Sequence, residues 1–291
     1  MAHLNIQNSK SGTFQKYEIS ESEIDKITKA KEILSTHLNF EVIYDQVIEA
    51  YWGYRNKVNY WRLRVASMPS SYILNHEIRS SLNRLTFNLL NLSKLYLDRH
   101  FNEQKGTCFT FEILGDEDCV NPTKEQREKI YNENILYVVG CKLRNRSQHG
   151  SLPITSFTYG ISSDNNYSKK VNFDINYNYD NLVNLKVPKK RIQMNTSLNL
   201  TSILNGYVFA ISEMHTLARE LTRAKITESR NCINDIVKSK PAAIQYHNYV
   251  SYIDFEDGKR LYTDLDWFEL SDHLLRKHRQ AIDYSEFNFI E

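Results

Sequence analysis

The sequence predicts a mainly α-helical protein: a helical bundle with a small antiparallel β-hairpin element and a C-terminal extension of a helix and a hairpin. Apolar residues recur at three- and four-residue steps over long segments, which is typical of amphipathic helices. Alternating apolar residues over 154–178 indicate two short strands. An acidic turn with glycine at 256–258 indicates a second hairpin near the end.

Composition limits the classes of function. The 291 residues carry a formal net charge of only +2, which excludes a protein that holds nucleic acid by bulk charge but leaves room for a local basic patch. The N-terminal segment lacks the apolar stretch of a signal peptide, and no run of about 18 apolar residues occurs. A cytoplasmic protein with no membrane partner is therefore expected.

The cysteines indicate neither a metal site nor disulfides. Cys108, Cys119, Cys141 and Cys232 form no CxxC pair and have no second ligand at zinc-finger spacing. Reduced thiols in a cytosolic protein are the expected state. No metal and no cofactor are predicted.

Helix signals dominate the first half of the chain. Residues 1–19 are polar and aperiodic, and a flexible N-terminal arm is predicted. Ser20 and Glu23 form a capping-box pattern for a helix to about residue 36, and a second helix is predicted over 40–66. The strongest helix spans about 72–101. Its apolar face is broad and comprises Ile78, Leu82, Leu85, Phe87, Leu89, Leu90, Leu92, Leu95 and Tyr96.

A further helix is predicted to begin at a cap on Thr123, with Gln126 at the capping-box position, and to end near Gly150. Strands follow at 154–162 and 169–178. A long helix over 198–238, stopped by Pro241, a hairpin and a helix over 270–279 complete the chain. The predicted division is an arm at 1–19, a bundle with its hairpin at 20–180, and an extension packed on the bundle at 181–291.

The segment CKLRNRSQHGSLP, residues 141–153, concentrates the groups that RNA cleavage requires. When a ribose 2′-OH attacks the adjacent phosphate, one group must accept the proton of the 2′-OH and another must donate a proton to the leaving 5′-oxygen. Histidine can do either, because it titrates near neutral pH. A guanidinium stabilises the charge that develops on the phosphate oxygens. His149 supplies the imidazole and Arg144 supplies the guanidinium. Asn145 is placed to hold the imidazole ring or to contact phosphate.

The spacing of Arg144 and His149 is unfavourable on one regular helix. Five residues correspond to a rotation of about 140° around the helix axis, so the two side chains diverge. Two arrangements bring them together. Either the helix bends at His149, before Gly150, or two copies of the segment face each other across a two-fold axis.

The segment R-N-R-S-Q-H with the following G-S-L-P resembles the catalytic motif of the HEPN superfamily, the higher eukaryotes and prokaryotes nucleotide-binding domains. It looks like the form found in bacterial HEPN proteins linked to phage defence and abortive infection. The helix over 82–101 also resembles the central bundle helix of such proteins. The resemblance covers roughly residues 40–180.

The resemblance implies a homodimeric, metal-independent endoribonuclease that cuts single-stranded RNA and leaves a 2′,3′-cyclic phosphate. Arg144 would stabilise the phosphate, His149 would be the acid or base, and Asn145 occupies the polar position after the arginine. A toxin or antiviral defence effector, with an antitoxin or regulatory protein as a further partner, is the implied role. The other candidates are Lys142, Arg146, Ser147 and Gln148 for RNA or phosphate binding, and Asn83 and Asn88 as supporting residues.

Other interpretations remain open. The cations of this segment also suit a plain helix C-terminus, where the helix dipole favours positive charge. A HEPN-like protein that binds nucleotide or RNA, or that dimerises, without turnover would carry the same motif. In a third interpretation the chain is a helical scaffold whose residues 197–291 bind a protein partner such as an antitoxin.

Overall fold

The computed structural model describes residues 2–163, 169–246 and 248–284. In chain order the elements are β1 (His3–Asn8), β2 (Phe14–Glu18), α1 (Glu21–Ser67), α2 (Tyr72–His100), β3 (Phe101–Asn102), β4 (Thr107–Cys108), α3 (Phe109–Leu114), α4 (Val120–Glu133), α5 (Ile135–Gln148), β5 (Thr158–Ser163), β6 (Lys169–Asp174), β7 (Asn176–Asn178), α6 (Tyr179–Asn184), β8 (Ser197–Asn199), α7 (Leu200–Lys238), α8 (Pro241–Gln245), β9 (Tyr249–Asp254), β10 (Arg260–Tyr262) and α9 (Glu269–Lys277).

This inventory confirms a mainly helical protein with small antiparallel sheets. The four sheets hold four, two, two and two strands among the residues described. None of the described helices combines the length and the apolar character that a bilayer crossing requires.

The described chain forms two compact units that are not continuous in sequence. The first comprises residues up to Val42, Phe109–Asp116 and Arg219–Arg279. The second comprises Ile43–Cys108, Glu117–Ala218 and the described residues from Gln280 onward. The predicted division at residues 19 and 180 therefore differs from the observed one, because contacts in each unit join segments that are far apart along the chain.

The first unit contains a four-stranded antiparallel sheet in the order β10-β9-β1-β2. Leu4 of β1 lies opposite Tyr17 of β2 on one side and Ile253 of β9 on the other. The predicted flexible arm is thus wrong, because residues 3–18 form two strands of this sheet. Leu4 and Ile6 are fully buried. The alternation of apolar and polar residues that they form includes only two apolar positions, which is too short to be recognised in a polar segment.

Helix α1 is one uninterrupted element where the sequence predicts two. The predicted capping box is confirmed: Ser20 N–H donates to Glu23 Oε2 at 2.9 Å, and Glu23 N–H donates to Ser20 Oγ at 3.2 Å. Residues 37–39 contain neither glycine nor proline, so nothing in the backbone stops the helix between the predicted segments.

Helix α2 confirms the strongest helix prediction but buries a narrower face than expected. Leu82, Leu89 and Tyr96 are buried, whereas the Phe87 and Leu95 side chains are 40% and 51% exposed. The N-terminus is capped by Ser71, whose hydroxyl accepts a hydrogen bond from the backbone of Leu74 at 3.1 Å.

The predicted helix over 123–150 is divided at Asn134 into α4 and α5. Asn134 has an extended conformation, with φ −100° and ψ 102°, and its side chain caps α5 by accepting from Tyr137 N–H at 3.0 Å. The predicted cap at Thr123 is wrong. Helix α4 begins at Val120, and the Thr123 hydroxyl, one turn inside, donates to the Cys119 carbonyl at 3.1 Å.

The strand predictions are confirmed in part. Strands β5 and β6 pair antiparallel, with Ile161 opposite Val171. The predicted strand over 169–178 ends at Asp174, and the next strand, β7, pairs instead with β8, which leads directly into α7. Helix α7 begins at Leu200 and ends at Lys238, close to the predicted bounds, and Pro241 begins α8.

Candidate functional site

Helix α5 carries the candidate motif and lies unusually close to α7. A Cβ atom placed on Gly140 of α5 would lie 2.6 Å from Cγ of Tyr207, and one placed on Gly206 of α7 would lie 2.6 Å from Cβ of Leu136. Real Cβ atoms essentially never approach this closely. Two glycines therefore permit this contact, and it places the Tyr207 ring against the first turns of the motif helix.

Replacing Gly140 tests this packing. We expect Gly140→Ala to lower the free energy of unfolding by about 1–3 kcal/mol, because the new methyl group displaces the buried Tyr207 ring. Gly53→Ala is the matched control, since Gly53 lies within α1 and a Cβ atom added there would meet open space. That change is expected to stabilise the protein by up to about 1 kcal/mol. Urea denaturation measures both, and equal stabilisation by both alanines would contradict the close approach.

A cleft of about 520 Å³ opens beside α5. This volume lies within the range of about 300–1,000 Å³ that is usual for small-molecule sites. One wall is α5, with Tyr137, Cys141, Lys142, Arg144 and Asn145, and the remainder comes from α4, the end of α2 and the β3 segment.

Arg144 projects into this cleft in a fixed orientation. Its Nε and Nη2 atoms both donate to Asn145 Oδ1, at 3.2 and 2.9 Å. Asn145 therefore orients the guanidinium rather than the ring of His149. Burial opposes the charge on Arg144, but Tyr207, Cys141 and Tyr137 raise its pKa above the ordinary value, so the group stays cationic.

Groups that stay protonated line the cleft at Tyr137 and Cys141 and surround Arg144 at Tyr207. Burial raises the pKa of the Cys141 thiol and of the Tyr137 and Tyr207 phenols. Tyr207 Oη and Ser93 Oγ are buried, and neither has a partner in hydrogen-bond geometry among the described residues, although Arg144 and Ser93 are close enough to Tyr207 to oppose the rise in its pKa. Unpaired hydroxyls at this depth are uncommon in folded proteins.

Of the three acidic residues that line the cleft, two pair with lysines and the third, Glu128, is exposed. Asp98 pairs with Lys94 and Lys105, and Glu103 pairs with Lys124 at 3.2 Å. Over the residues that the structure describes, no ion pair joins Lys142 or Arg144 to a carboxylate. Lys142 and Arg144 of α5 are therefore available to bind an anion.

His149 lies just beyond the regular part of α5. The helix ends at Gln148, and His149 takes φ −99° and ψ 26° while its N–H donates to the Arg146 carbonyl at 3.1 Å. Gly150 follows at φ +90°, a conformation that favours glycine. The imidazole is exposed and does not line the cleft that holds Arg144. Within one chain the two predicted catalytic residues are not brought to the same cavity.

The other predicted contact residues divide between the two sides of α5. Lys142 lines the cleft, Gln148 is exposed, and Arg146 borders a separate pocket of about 80 Å³ next to Pro153. Ser147 is buried and its hydroxyl donates to the Leu143 carbonyl at 2.8 Å. Ser147 borders the same small pocket as Arg146, but its hydroxyl proton is used inside the helix and is not available to donate to RNA.

The two asparagines predicted to support the site have different environments. Asn83 is buried on α2 and forms a pair of hydrogen bonds with Ile154, donating to its carbonyl and accepting from its N–H, both at 2.8 Å. This pair fixes the chain just after the motif. Asn88 is exposed on the same helix and does not line the cleft.

Removal of the Asn83 side chain tests its role. We expect Asn83→Ala to cost roughly 1–3 kcal/mol of folding free energy, because the backbone N–H and carbonyl of Ile154 lose their partners in a buried position. Asn88→Ala on the same helix is the control and is expected to change stability by less than about 0.5 kcal/mol. Thermal unfolding of both variants provides the measurement, and similar melting temperatures would contradict the anchor.

Comparison with known proteins found no match to this chain. No protein-family model, no curated protein and no solved structure matches it. Any assignment of function therefore depends on the residues of the site and on the motif.

In the described part of the chain, no three His, Cys, Asp or Glu side chains are grouped so as to hold a metal ion.

Several cleft residues were not predicted from the sequence. Arg127 and Tyr131 lie four residues apart on α4 and both line the cleft, and Arg127 donates to the Phe101 carbonyl. Their spacing places them on one helix face, which is a pattern that the sequence contains. What the sequence lacks is any indication that this face of α4 lies opposite Arg144.

Proposed function

We propose that the chain is a metal-independent endoribonuclease that cuts single-stranded RNA. The observation that carries the proposal is the state of Arg144: a cation oriented by Asn145, without a carboxylate partner in the described part of the chain, at the wall of a cleft of about 520 Å³. A guanidinium held in this way binds the non-bridging oxygens of a phosphate and stabilises their charge in the transition state.

The chemistry follows from the nucleophile. The ribose 2′-oxygen attacks phosphorus, the bond from phosphorus to the 5′-oxygen breaks, and a 2′,3′-cyclic phosphate and a 5′-hydroxyl result. One imidazole accepts the proton of the 2′-OH, and a protonated imidazole donates one to the 5′-oxygen. The His149 side chain of each copy in a dimer supplies one of these two groups.

A homodimer reconciles the proposal with the geometry of a single chain. Arg144 lines the cleft while His149 is exposed beyond the helix end, so His149 is accessible to a second copy. A two-fold axis near the ends of two α5 helices would bring both arginines and both histidines around one substrate. Asn145 would orient each Arg144.

Purified full-length protein, incubated with single-stranded RNA in EDTA, provides the test. We expect cleavage, with products that carry 2′,3′-cyclic phosphate and 5′-hydroxyl ends, and a dimer by sedimentation. Products with 5′-phosphate ends would show another reaction and would contradict the proposal.

A second candidate is a HEPN-like protein that binds RNA or nucleotide, or dimerises, without turnover. The separation of Arg144 and His149 in one chain favours it. Affinity for RNA combined with an absence of cleavage over varied sequences would support this candidate.

We further propose that the nuclease acts as a toxin or antiviral effector held in check by an antitoxin or regulatory protein. A scaffold whose residues 197–291 bind such a partner is the alternative. Growth arrest on expression of the protein, relieved by Arg144→Ala, would support the toxin. Arrest that persists in that variant would contradict it.

A further inference from the structure

A basic turn lies at the rim of the cleft. Residues Lys189–Arg191 form a single 3-10 turn, and Arg191 donates from Nη1 to the Tyr131 carbonyl at 2.7 Å and from Nη2 to the Asn132 carbonyl at 2.9 Å. Tyr131 and Asn132 both line the cleft that contains Arg144. The turn is therefore attached to the cleft by a bidentate contact.

The turn is held on its other side as well. Val187 and Ile192, which flank it, are buried, and Arg191 N–H donates to the Pro188 carbonyl at 2.9 Å. Lys189 and Lys190 are exposed, and neither forms an ion pair with a carboxylate of the described residues. Two free cations are thus presented from a fixed backbone beside the cleft.

Tyr131, the residue that Arg191 contacts, also contributes an exposed aromatic ring to the cleft. The Tyr131 side chain is 38% exposed at the cleft wall, while its carbonyl oxygen is used by Arg191. Aromatic rings in basic grooves stack on unpaired bases without regard to sequence. Tyr131 thus contacts the turn through its carbonyl and lines the same cleft as Lys142 and Arg144 of α5.

We propose that the cleft and the basic turn form one groove for a single strand of RNA, with a base stacked on Tyr131 and the phosphate backbone extending from Arg144 to Lys189 and Lys190. This groove rests on the proposed function for the choice of RNA over other anions. Bases of duplex RNA are already stacked on each other, so the ring selects an unpaired strand.

Binding to a strand that cannot be cleaved tests the groove apart from the chemistry. The probe is a fluorescent 2′-O-methyl oligouridylate of about 12 nucleotides, a length suited to grooves of this kind. We expect Tyr131→Ala to weaken binding roughly tenfold and Tyr131→Phe to retain it. Lys189→Ala/Lys190→Ala should reduce the slope of log affinity against log salt by about 1.4.

The control is a double variant that removes the same number of positive charges from the first unit. Lys10→Ala/Lys16→Ala removes two exposed lysines of the β1–β2 hairpin and should leave the affinity and the salt slope close to wild type. Equal effects of the two double variants, or unchanged binding by Tyr131→Ala, would overturn the groove even if the protein cleaves RNA. Binding that depends on Tyr131 and on the turn, with no cleavage, would overturn the nuclease and support the groove.

Discussion

Arg144→Ala and His149→Ala are each expected to slow RNA cleavage by roughly 100–1,000-fold. Removal of one preorganised group that stabilises developing charge usually costs this factor, and loss of a general acid or base costs a similar one. Initial rates on a single-stranded substrate in EDTA provide the measurement. Cleavage that continues at the wild-type rate in both variants would exclude this site.

Arg84→Ala is the matched control for these variants. It removes an exposed guanidinium from α2 that does not line the cleft. We expect a change of less than about threefold in rate, as for surface substitutions with little effect on free energy. A loss as large as that in Arg144→Ala would show that bulk charge, not the oriented guanidinium, is responsible.

Mixing the two impaired variants tests the shared site. A dimer of Arg144→Ala with His149→Ala retains one arginine and one imidazole, whereas each variant alone lacks both copies of one group. The mixture is therefore expected to cleave RNA faster than either variant alone, but more slowly than wild type because one of the two imidazoles is missing. A mixture no faster than either variant, with heterodimers demonstrated by sedimentation of tagged chains, would contradict the composite arrangement.

Acid is expected to destabilise the second unit through His100. This side chain is buried, and desolvation, with the charges of Arg127 and His215, lowers its pKa to about 3. The folded protein keeps the ring neutral, whereas the unfolded chain takes up a proton below about pH 6.5. Stability is therefore complete above about pH 6.5 and is lost as the pH falls, by about 1.4 kcal/mol per pH unit, until about pH 3.

Urea denaturation at a series of pH values between 7 and 4 measures this slope. His100→Gln should flatten it, although His37, whose pKa burial also lowers, maintains part of the acid sensitivity. His76→Gln changes an exposed histidine and should leave the slope as in wild type. If His100→Gln does not fold, the His100 ring of the wild-type protein can be titrated directly by NMR. A ring that protonates near pH 6 would refute the prediction.

Local patterns in the sequence predicted most helices. The capping box at Ser20 and Glu23 and the long periodicity of α7 depend on neighbours within one or two turns, and both were found close to the predicted positions. Strand β1 was missed because one of its two partners, β9, lies more than two hundred residues away, and β2 was missed with it because β2 pairs only with β1. A short strand acquires its stability from that pairing and not from its own residues.

The candidate site was also predictable only in part, because its motif is local whereas its cleft is formed by segments that are distant in the sequence. The motif on α5 was visible in a single segment, but the wall opposite Arg144 comes from α4 and the end of α2. The burial of Ser147 was not predictable, because residue type does not tell whether a hydroxyl faces the interior or the solvent. The orientation of Arg144 by Asn145 also requires side-chain coordinates.

The position of β1 between β2 and β9 has a consequence for biosynthesis. At translation rates of about 5–20 residues per second, tens of seconds separate the appearance of β2 from that of β9. Throughout this interval one edge of β1 lacks its strand partner, and an unpaired edge is a template for pairing with other chains. The nascent protein is therefore expected to need shielding of its first residues, by a chaperone or by the ribosome surface, until residues 249–254 emerge.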